Sequence, residues 1–465
     1  MSQLAEIGVD ALRSTMEGPV LLPGDEGYDE ARRVWNAEHV RQPAVIARVR
    51  SAADVRAAVR YAVAGGLEIA VRGGAHHTSG MASVDGGLMI DLSLLNQVSV
   101  DPVVRRARVG GGALLGDLDA AAQEHGLAVP AGIVSHTGVG GLTLGGGMGL
   151  LTRMHGLSLD NVESVRIVTA DGSLRRAAAD ENADLFWAVR GAGGNFGVVT
   201  EFEFRLHEAG PIVQYGLMFW EDGATMLRHA REVIPALPRE VNVVIACVNA
   251  PPAPFVPAEH HFKPGYGLVV VGFGSAEQHA EAVEALRGSS PPLFEFSTPM
   301  PYVAVQRLLD EANAWGTYHY EKGSYLETLS DGAIDVITEH FPRRTSPSSV
   351  LMAYHLDQGY LETADDATAF GGRRTECYAL FAIATTPTLE GLAAERAWVR
   401  SVWDALQPHS TNIGSYVNGL IESDEARLRA TYGAKYDRLA EVKRKYDPDN
   451  VFHRNQNIKP APVGS

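Results

Sequence analysis

Two glycine-rich stretches decide how this chain is read: Arg72-Gly73-Gly74-Ala75-His76-His77-Thr78-Ser79-Gly80 and Gly138-Val139-Gly140-Gly141-Leu142-Thr143-Leu144-Gly145-Gly146-Gly147-Met148-Gly149. The first follows the apolar run 67–71, which reads as a strand, so its small residues form a turn at a strand end. Such a turn can point backbone amides into one concavity and hold a pyrophosphate without a lysine. Taken alone, it equally fits a tight turn with a surface histidine pair. The second stretch has seven glycines in twelve positions. In regular structure each costs about 0.5–1 kcal/mol of backbone entropy, so this density makes sense where a flat, bulky group lies directly on the main chain. A third run, Arg190-Gly191-Ala192-Gly193-Gly194-Asn195-Phe196-Gly197, leads into the strand-like Val198-Val199-Thr200.

Outward from these runs, strand patterns alternate with helical ones. Ser51 and Asp54 are spaced as a capping box, and Val55, Ala58, Val59, Ala62 and Val63 recur at helical intervals up to Gly65-Gly66. Strands are expected at 67–71, 87–92, 165–170 and 198–206, and a helix at 113–123, giving an α+β or α/β core. Between about 210 and 407, strand-like runs (241–248, 267–272) are separated by helical patterns (276–286, 331–340), and the proline-rich 251–264 reads as a loop. This middle region predicts an antiparallel sheet with helices on one face. Tyr436, Leu439 and Val442 share a face of a terminal helix, followed by the turn Tyr446-Asp447-Pro448-Asp449-Asn450.

The chain of 465 residues is long enough for two large domains or three smaller ones. With 40 Lys and Arg against 56 Asp and Glu, its formal charge of -16 argues against nucleic acid and anionic membranes as partners. Two distant cysteines, Cys247 and Cys377, exclude a disulfide framework and a multi-cysteine metal cluster, so no metal is expected. The amino-terminal stretch lacks a basic and apolar leader, and no apolar run reaches the length of a membrane span, pointing to a cytoplasmic protein. Signatures of P-loop NTPases, dinucleotide G-x-G-x-x-G folds, α/β-hydrolases and zincins are absent.

The run from Pro43 to Leu206 resembles the FAD domain of the vanillyl-alcohol-oxidase-type (PCMH-type) flavoproteins, most of all the berberine-bridge-enzyme-like oxidases. Tyr446-Asp447-Pro448, Asn450-Val451-Phe452 and Asn455-Gln456-Asn457-Ile458 are similar to that branch's terminal signature, and Ser415-Tyr416-Val417-Asn418 to its Tyr-x-Asn segment. The resemblance implies an α+β fold: an FAD domain of two subdomains (1–207), a substrate domain (208–410) and a terminal segment returning to the FAD domain (411–465). It also implies FAD tethered through one histidine. Motif spacing places the link on His76, with His77 as the fallback, and Ala75 in place of a third glycine is expected at negative φ. Some relatives add a cysteine link; the matching residue is Val134. Arg72, Gly73, Gly74, Ala75, His77, Gly80, Gly138, Gly141, Gly145, Asn161, Val199, Asn455 and Asn457 would surround the cofactor.

Tyr416 is then the candidate base, the alternative being a packing aromatic in a strand. Tyr320, Tyr354, His355 and Asp357 are candidate substrate contacts, with a different turn as the alternative reading of Asp357. Thr137, small and just ahead of Gly138, leaves room for molecular oxygen, which favours an oxidase of a C–O or C–N centre in a small organic molecule. Ser135-His136-Thr137-Gly138 is also similar to a bacterial subgroup that uses a flavin-N5-oxide to oxygenate polyketide-type metabolites, which adds His136 to the catalytic candidates. A non-catalytic flavin-binding protein is the third reading. Either a monomer or a homodimer fits.

Overall fold

Val45–Arg48, Leu88–Asp91 and Ile69–Arg72 are short, largely apolar runs, and they pair in parallel. Continuous rather than alternating hydrophobicity is what a parallel strand covered on both faces requires. Val20–Leu21 adds an antiparallel edge, giving the order Val20–Leu21, Val45–Arg48, Leu88–Asp91, Ile69–Arg72. The structure, a computed structural model, describes residues 8–411, 414–421 and 424–462.

Helix Ala52–Gly65 makes the crossover in this sheet and ends at Gly66, whose φ of 60° supplies the left-handed stop. Ser51 Oγ accepts from the Asp54 N–H at 3.2 Å, as the spacing predicted. The reciprocal half of the capping box does not form. Asp54 is committed instead to the N–H groups of Glu17, Gly18 and Arg50, at 2.8–3.0 Å, and so pins the amino-terminal segment to the helix start.

A second, five-stranded sheet is antiparallel throughout, in the order Val98–Asp101, Arg106–Gly110, Val198–Arg205, Val162–Val168, Leu174–Ala178. The seven-stranded sheet of the middle region runs Phe294–Pro301, Ile212–Trp220, Pro264–Gly272, Val241–Asn249, Val350–Leu356, Cys377–Thr386, Tyr318–Leu326, again antiparallel. Helices Gly223–Val233, Ala276–Arg287, Asp331–His340 and Leu389–Leu406 bury their apolar stripes on one face of it. Its other face packs against Met148, Leu150, Leu151 and Tyr416. The whole is an α+β architecture. The 251–263 segment is a loop with a 3-10 turn at Ala258–His260, whereas Pro264, expected in that loop, opens strand Pro264–Gly272 opposite Asn249.

The terminal helix Lys435–Tyr446 buries Tyr436, Leu439 and Val442 in the core of the five-stranded sheet. Its end is fastened by Lys443, whose Nζ donates to Asn195 O, Phe452 O and Asp447 Oδ2 at 2.6, 2.9 and 2.5 Å. Asp447 in turn accepts from the N–H groups of Val451 and Phe452. A fully buried ion pair holds only when its remaining valences are met in this way. Both cysteines are buried and free. Among the described residues no helix is long and apolar enough to cross a membrane.

The segment after the short helix Tyr302–Val305 and the first half of the chain meet at Asp119, on helix Leu115–Gln123, where Gln306 Nε2 donates to its carboxylate at 3.3 Å. Burial pushes this carboxyl up to about 7. A carboxyl with a raised folded-state pKa favours folding below its unfolded value near 4, and that contribution disappears as pH rises through about 7. Relative to Asp119→Asn, the wild type therefore loses stability between pH 5 and pH 8, measurable as a shift in the difference of their urea midpoints; an unchanged difference contradicts the burial.

Candidate functional site

Gly74 and Gly138 bring the first two glycine runs into backbone contact. A Cβ on Gly74 would lie 2.2 Å from Gly138 N, and one on Gly138 2.3 Å from Gly74 N. Along the second run, residues Val139–Gly145 form a short helix. The glycines after it serve the close approach of other groups. Gly146 and Gly147 take φ of 147° and 83°, and a Cβ on Gly145 would sit 2.0 Å from Asn418 Oδ1.

All three glycine runs open onto one cavity of about 360 Å³. Gly73, Gly74, His76 and His77 line one side, Thr137, Gly138, Gly140 and Gly141 another, and Gly193, Gly194, Gly197 and Val199 a third. Tyr416 and Asn418, with Phe452, Arg454, Asn455 and Gln456 of the terminal segment, complete the wall. A Cβ added to Gly141, Gly193 or Gly194 would meet nothing within 4 Å, so these positions present bare main chain to open space. The amides of Gly73, Gly74 and His77 have no protein acceptor among the described residues. His77 Nε2 and Asn455 Oδ1 are likewise buried without a protein partner. Unpaired donors beside a smooth backbone floor fit the pyrophosphate and flat ring of a flavin dinucleotide.

His76 stacks on Trp35 at 4.4 Å, and Trp35 stacks on His319 at 3.7 Å. His76 Nε2 lies 2.8 Å from His136 Nδ1. Burial first, then the neighbouring His136 and His319, pull His76 down to about 3, so its ring is neutral and one nitrogen carries a free lone pair. His77 is pulled down to about 4 by burial and His39. Its Nδ1 accepts from the Ser79 N–H at 3.2 Å, which puts the proton of the neutral ring on Nε2 as a donor in the cavity wall. Ala75 takes φ 53° rather than the expected negative value. Its carbonyl accepts from the Trp35 N–H at 3.0 Å, and this left-handed alanine stores about 1–3 kcal/mol of strain beside the histidine.

Tyr416 precedes the 3-10 turn Val417–Gly419 and does not lie in a strand. Its oxygen accepts from Gly147 N at 2.8 Å and Asn418 Nδ2 at 3.0 Å. Burial pushes the phenol up to about 12; these donors pull it back and Glu321 adds to the rise. Ser135 N and Oγ both donate to Asp310, at 2.8 and 2.6 Å, and so hold the Ser135-His136-Thr137 loop against the substrate-side segment.

Several expected contacts fall elsewhere. Arg72 pairs with Asp91 at 3.2 Å, outside the cavity wall. Gly80 closes the turn against His39, and Asn161 spends its amide on the carbonyls of His155 and Leu157 and its Oδ1 on His207. Gly145 and Asn457 are also outside the wall, whereas Gly73, Gly74, His77, Gly138, Gly141, Val199 and Asn455 are in it. Successive strand residues face opposite sides of a sheet, and this overturns three substrate candidates. Tyr320 faces the helix side, where Arg400 Nε donates to its hydroxyl. His355 packs against Tyr378 at a tilt on that same side, and Asp357 pairs with the buried Arg153 at 3.2 Å. Tyr354 lies on the other face, in the cluster that holds Tyr416 and Phe381. Trp35, His319, Glu321 and Arg454 were not singled out from sequence, whereas the Gly193-Gly194 pair belongs to the third glycine run read there. Period-2 alternation through Tyr320 and Tyr325 was the available signal for Glu321.

Residues 43–178 match the model of an FAD binding domain, and residues 415–459 that of the berberine and berberine-like domain. The (R)-6-hydroxynicotine oxidase of Paenarthrobacter nicotinovorans is 32% identical, with 96% of this chain and 97% of that protein covered. The chain belongs to this family of FAD-linked oxidoreductases. An FAD-linked oxidoreductase of Dictyostelium discoideum is 30% identical, with 97% of each covered. The crystal structure of 6-hydroxy-D-nicotine oxidase from Arthrobacter nicotinovorans superimposes with a TM-score of 0.84, at 29% identity over 96% of this chain and 98% of that one. A chitooligosaccharide oxidase shares the fold, with a TM-score of 0.85 at 22% identity, 97% of this chain and 100% of that one being covered. The protein is thus an FAD-dependent oxidoreductase of the berberine-like branch.

If the bare backbone is the flavin floor, Gly141→Leu, which fills open space on a helical residue, abolishes FAD retention. The expected result is at least a tenfold drop in the 450 nm absorbance per polypeptide with the far-UV circular dichroism unchanged; normal flavin content contradicts the assignment.

Proposed function

We propose that the chain is an oxidase that dehydrogenates a C–O or C–N centre of a small organic molecule and passes the electrons to molecular oxygen. The observation that carries this reading is the convergence of a neutral, buried His76 and a buried Tyr416 on one cavity floored by bare backbone. Bound FAD supplies the two-electron acceptor. His76 holds it covalently through an imidazole nitrogen, since burial keeps that nitrogen free of a proton. His136 orients the ring through the 2.8 Å contact. His77 serves through its Nε2–H and its amide rather than as the tether. Asn455 and the amides of Gly73 and Gly74 complete the cradle.

Tyr416 takes the proton from the substrate's O–H or N–H. The N–H groups of Gly147 and Asn418 are aimed at its oxygen, where negative charge must reside before it accepts that proton. Thr137 in the cavity wall leaves space for dioxygen. Because burial raises the phenol to about 12, the fraction of ionised Tyr416 grows with pH, so the reductive half-reaction accelerates from pH 7 to pH 10.

Tyr416→Phe is expected to keep its FAD, slow anaerobic flavin reduction about 100-fold or more, and lose that rise with pH. Retention of the wild-type rate removes Tyr416 from the mechanism. His76→Ala is expected to release all its FAD on denaturation, whereas the wild type keeps a fluorescent flavin on a denaturing gel. One hydrogen peroxide released per substrate oxidised checks the acceptor; oxygen incorporated into product contradicts it.

A further inference from the structure

The sheet face turned toward Tyr416 carries Glu321 among largely apolar side chains, with His319, Tyr325 and Tyr354 on the same face. Strand Tyr318–Leu326 alternates, with Tyr320 and Lys322 directed at helix Leu389–Leu406, where Lys322 Nζ lies over the Trp403 ring. Glu321 points the other way. Thr78 Oγ1, two residues from His76, donates to Glu321 Oε1 at 2.5 Å. Thr78 is itself fixed, its carbonyl accepting from Asn36 Nδ2 at 2.6 Å. Ile383 stands directly across from Glu321 in the sheet, and Phe381 and Met352 occupy the next row. Phe381 meets the Tyr416 ring edge to face at 6.0 Å.

No Lys or Arg pairs with Glu321 among the described residues, and its Oε2 accepts no hydrogen bond from them. The titratable groups on this side include His76, His77 and His319, all held well below their ordinary value by burial, together with Tyr325, Tyr354, Cys377 and Tyr416, which burial raises. None of the three histidines is a cation at neutral pH. Burial pushes the Glu321 carboxyl up and the Thr78 hydrogen bond pulls it back. A partly buried carboxylate with no countercharge is costly, and a cation arriving with the substrate removes that cost. Phe381, Ile383 and Met352 offer an apolar body a surface to pack on beside Glu321.

We infer that Glu321 is the specificity-determining residue for a cationic substrate, so that the molecule oxidised is an apolar amine, protonated when it enters, rather than a saccharide. This rests on the oxidase reading above. Binding of the ammonium at Glu321 also neutralises the charge that opposes ionisation of Tyr416, which couples recognition to the base.

The test titrates the holoenzyme anaerobically with N-methylbenzylamine, benzyl methyl ether and cellobiose, following the flavin difference spectrum for binding and peroxide release, in air, for turnover. The amine is expected to perturb the flavin at concentrations at least 30-fold lower than the ether, and cellobiose not at all. Glu321→Gln removes that 30-fold preference, while Glu321→Asp restores part of it. Thr78→Val, which leaves the carboxylate in place but unanchored, weakens amine binding without affecting the ether. Equal binding of amine and ether by the wild type, or an unchanged preference in Glu321→Gln, overturns the inference. Glu321-dependent amine binding without peroxide release supports this site and contradicts the oxidase reading instead.

Discussion

The contact between Gly74 and Gly138 is the constraint from which the site follows. Two main-chain segments, one from the end of a parallel strand and one opening a short helix, touch where a single Cβ on either would collide with an amide nitrogen. Their contact brings the walls that carry His76 and Thr137 together and leaves the amides of Gly73, Gly74 and His77 without protein acceptors among the described residues. A third segment, around Gly193 and Gly194, adds a wall that likewise has no side chain to intrude. The protein accepts the entropy cost of glycine at these positions because a flat ligand needs main chain within reach.

Electrostatics around this floor are set by burial more than by charge pairing. His76, His77 and His319 are all held neutral, and Arg454, the one arginine in the cavity wall, is engaged by Ser83 O and Glu68. Negative charge that develops in the cavity therefore meets hydrogen-bond donors rather than a free arginine. Tyr416 follows the same principle, with two N–H groups directed at its oxygen. Ala75, left-handed despite its side chain, is the local strain that accompanies the turn carrying His76.

Much of this was legible in the chain itself. The helix after Ser51, the terminal helix with Tyr436, Leu439 and Val442 buried, and the strands on either side of the glycine runs all follow from periodicity and stop signals. The glycine density around residue 140 marked a segment of close backbone approach: Gly138, Gly140 and Gly141 line the cavity, while Gly145, Gly146 and Gly147 make room for Asn418, Tyr416 and Ser158. The errors have a common origin. Tyr320, His355 and Asp357 were chosen by residue type within polar segments, yet which side of a strand faces the cavity depends on register against neighbouring strands. Arg72 and Asn161 were chosen by position in a motif, yet Asp91 in the one case and His207 in the other, both distant in sequence, claim those side chains.

The motifs of the chain, through their resemblance to a flavoprotein family, determined the class of ligand and singled out His76 as the candidate tether. Sequence by itself also determined the α+β alternation, because hydrophobic periods of two and near four are local properties. Tertiary structure alone decided what surrounds that histidine: Trp35 and His136 lie 41 and 60 residues from His76 in sequence, and only folding brings their rings together. It likewise decided that Glu321, and not Tyr320, is turned to the Tyr416 side of the sheet, because one residue of strand register reverses the side to which each side chain points.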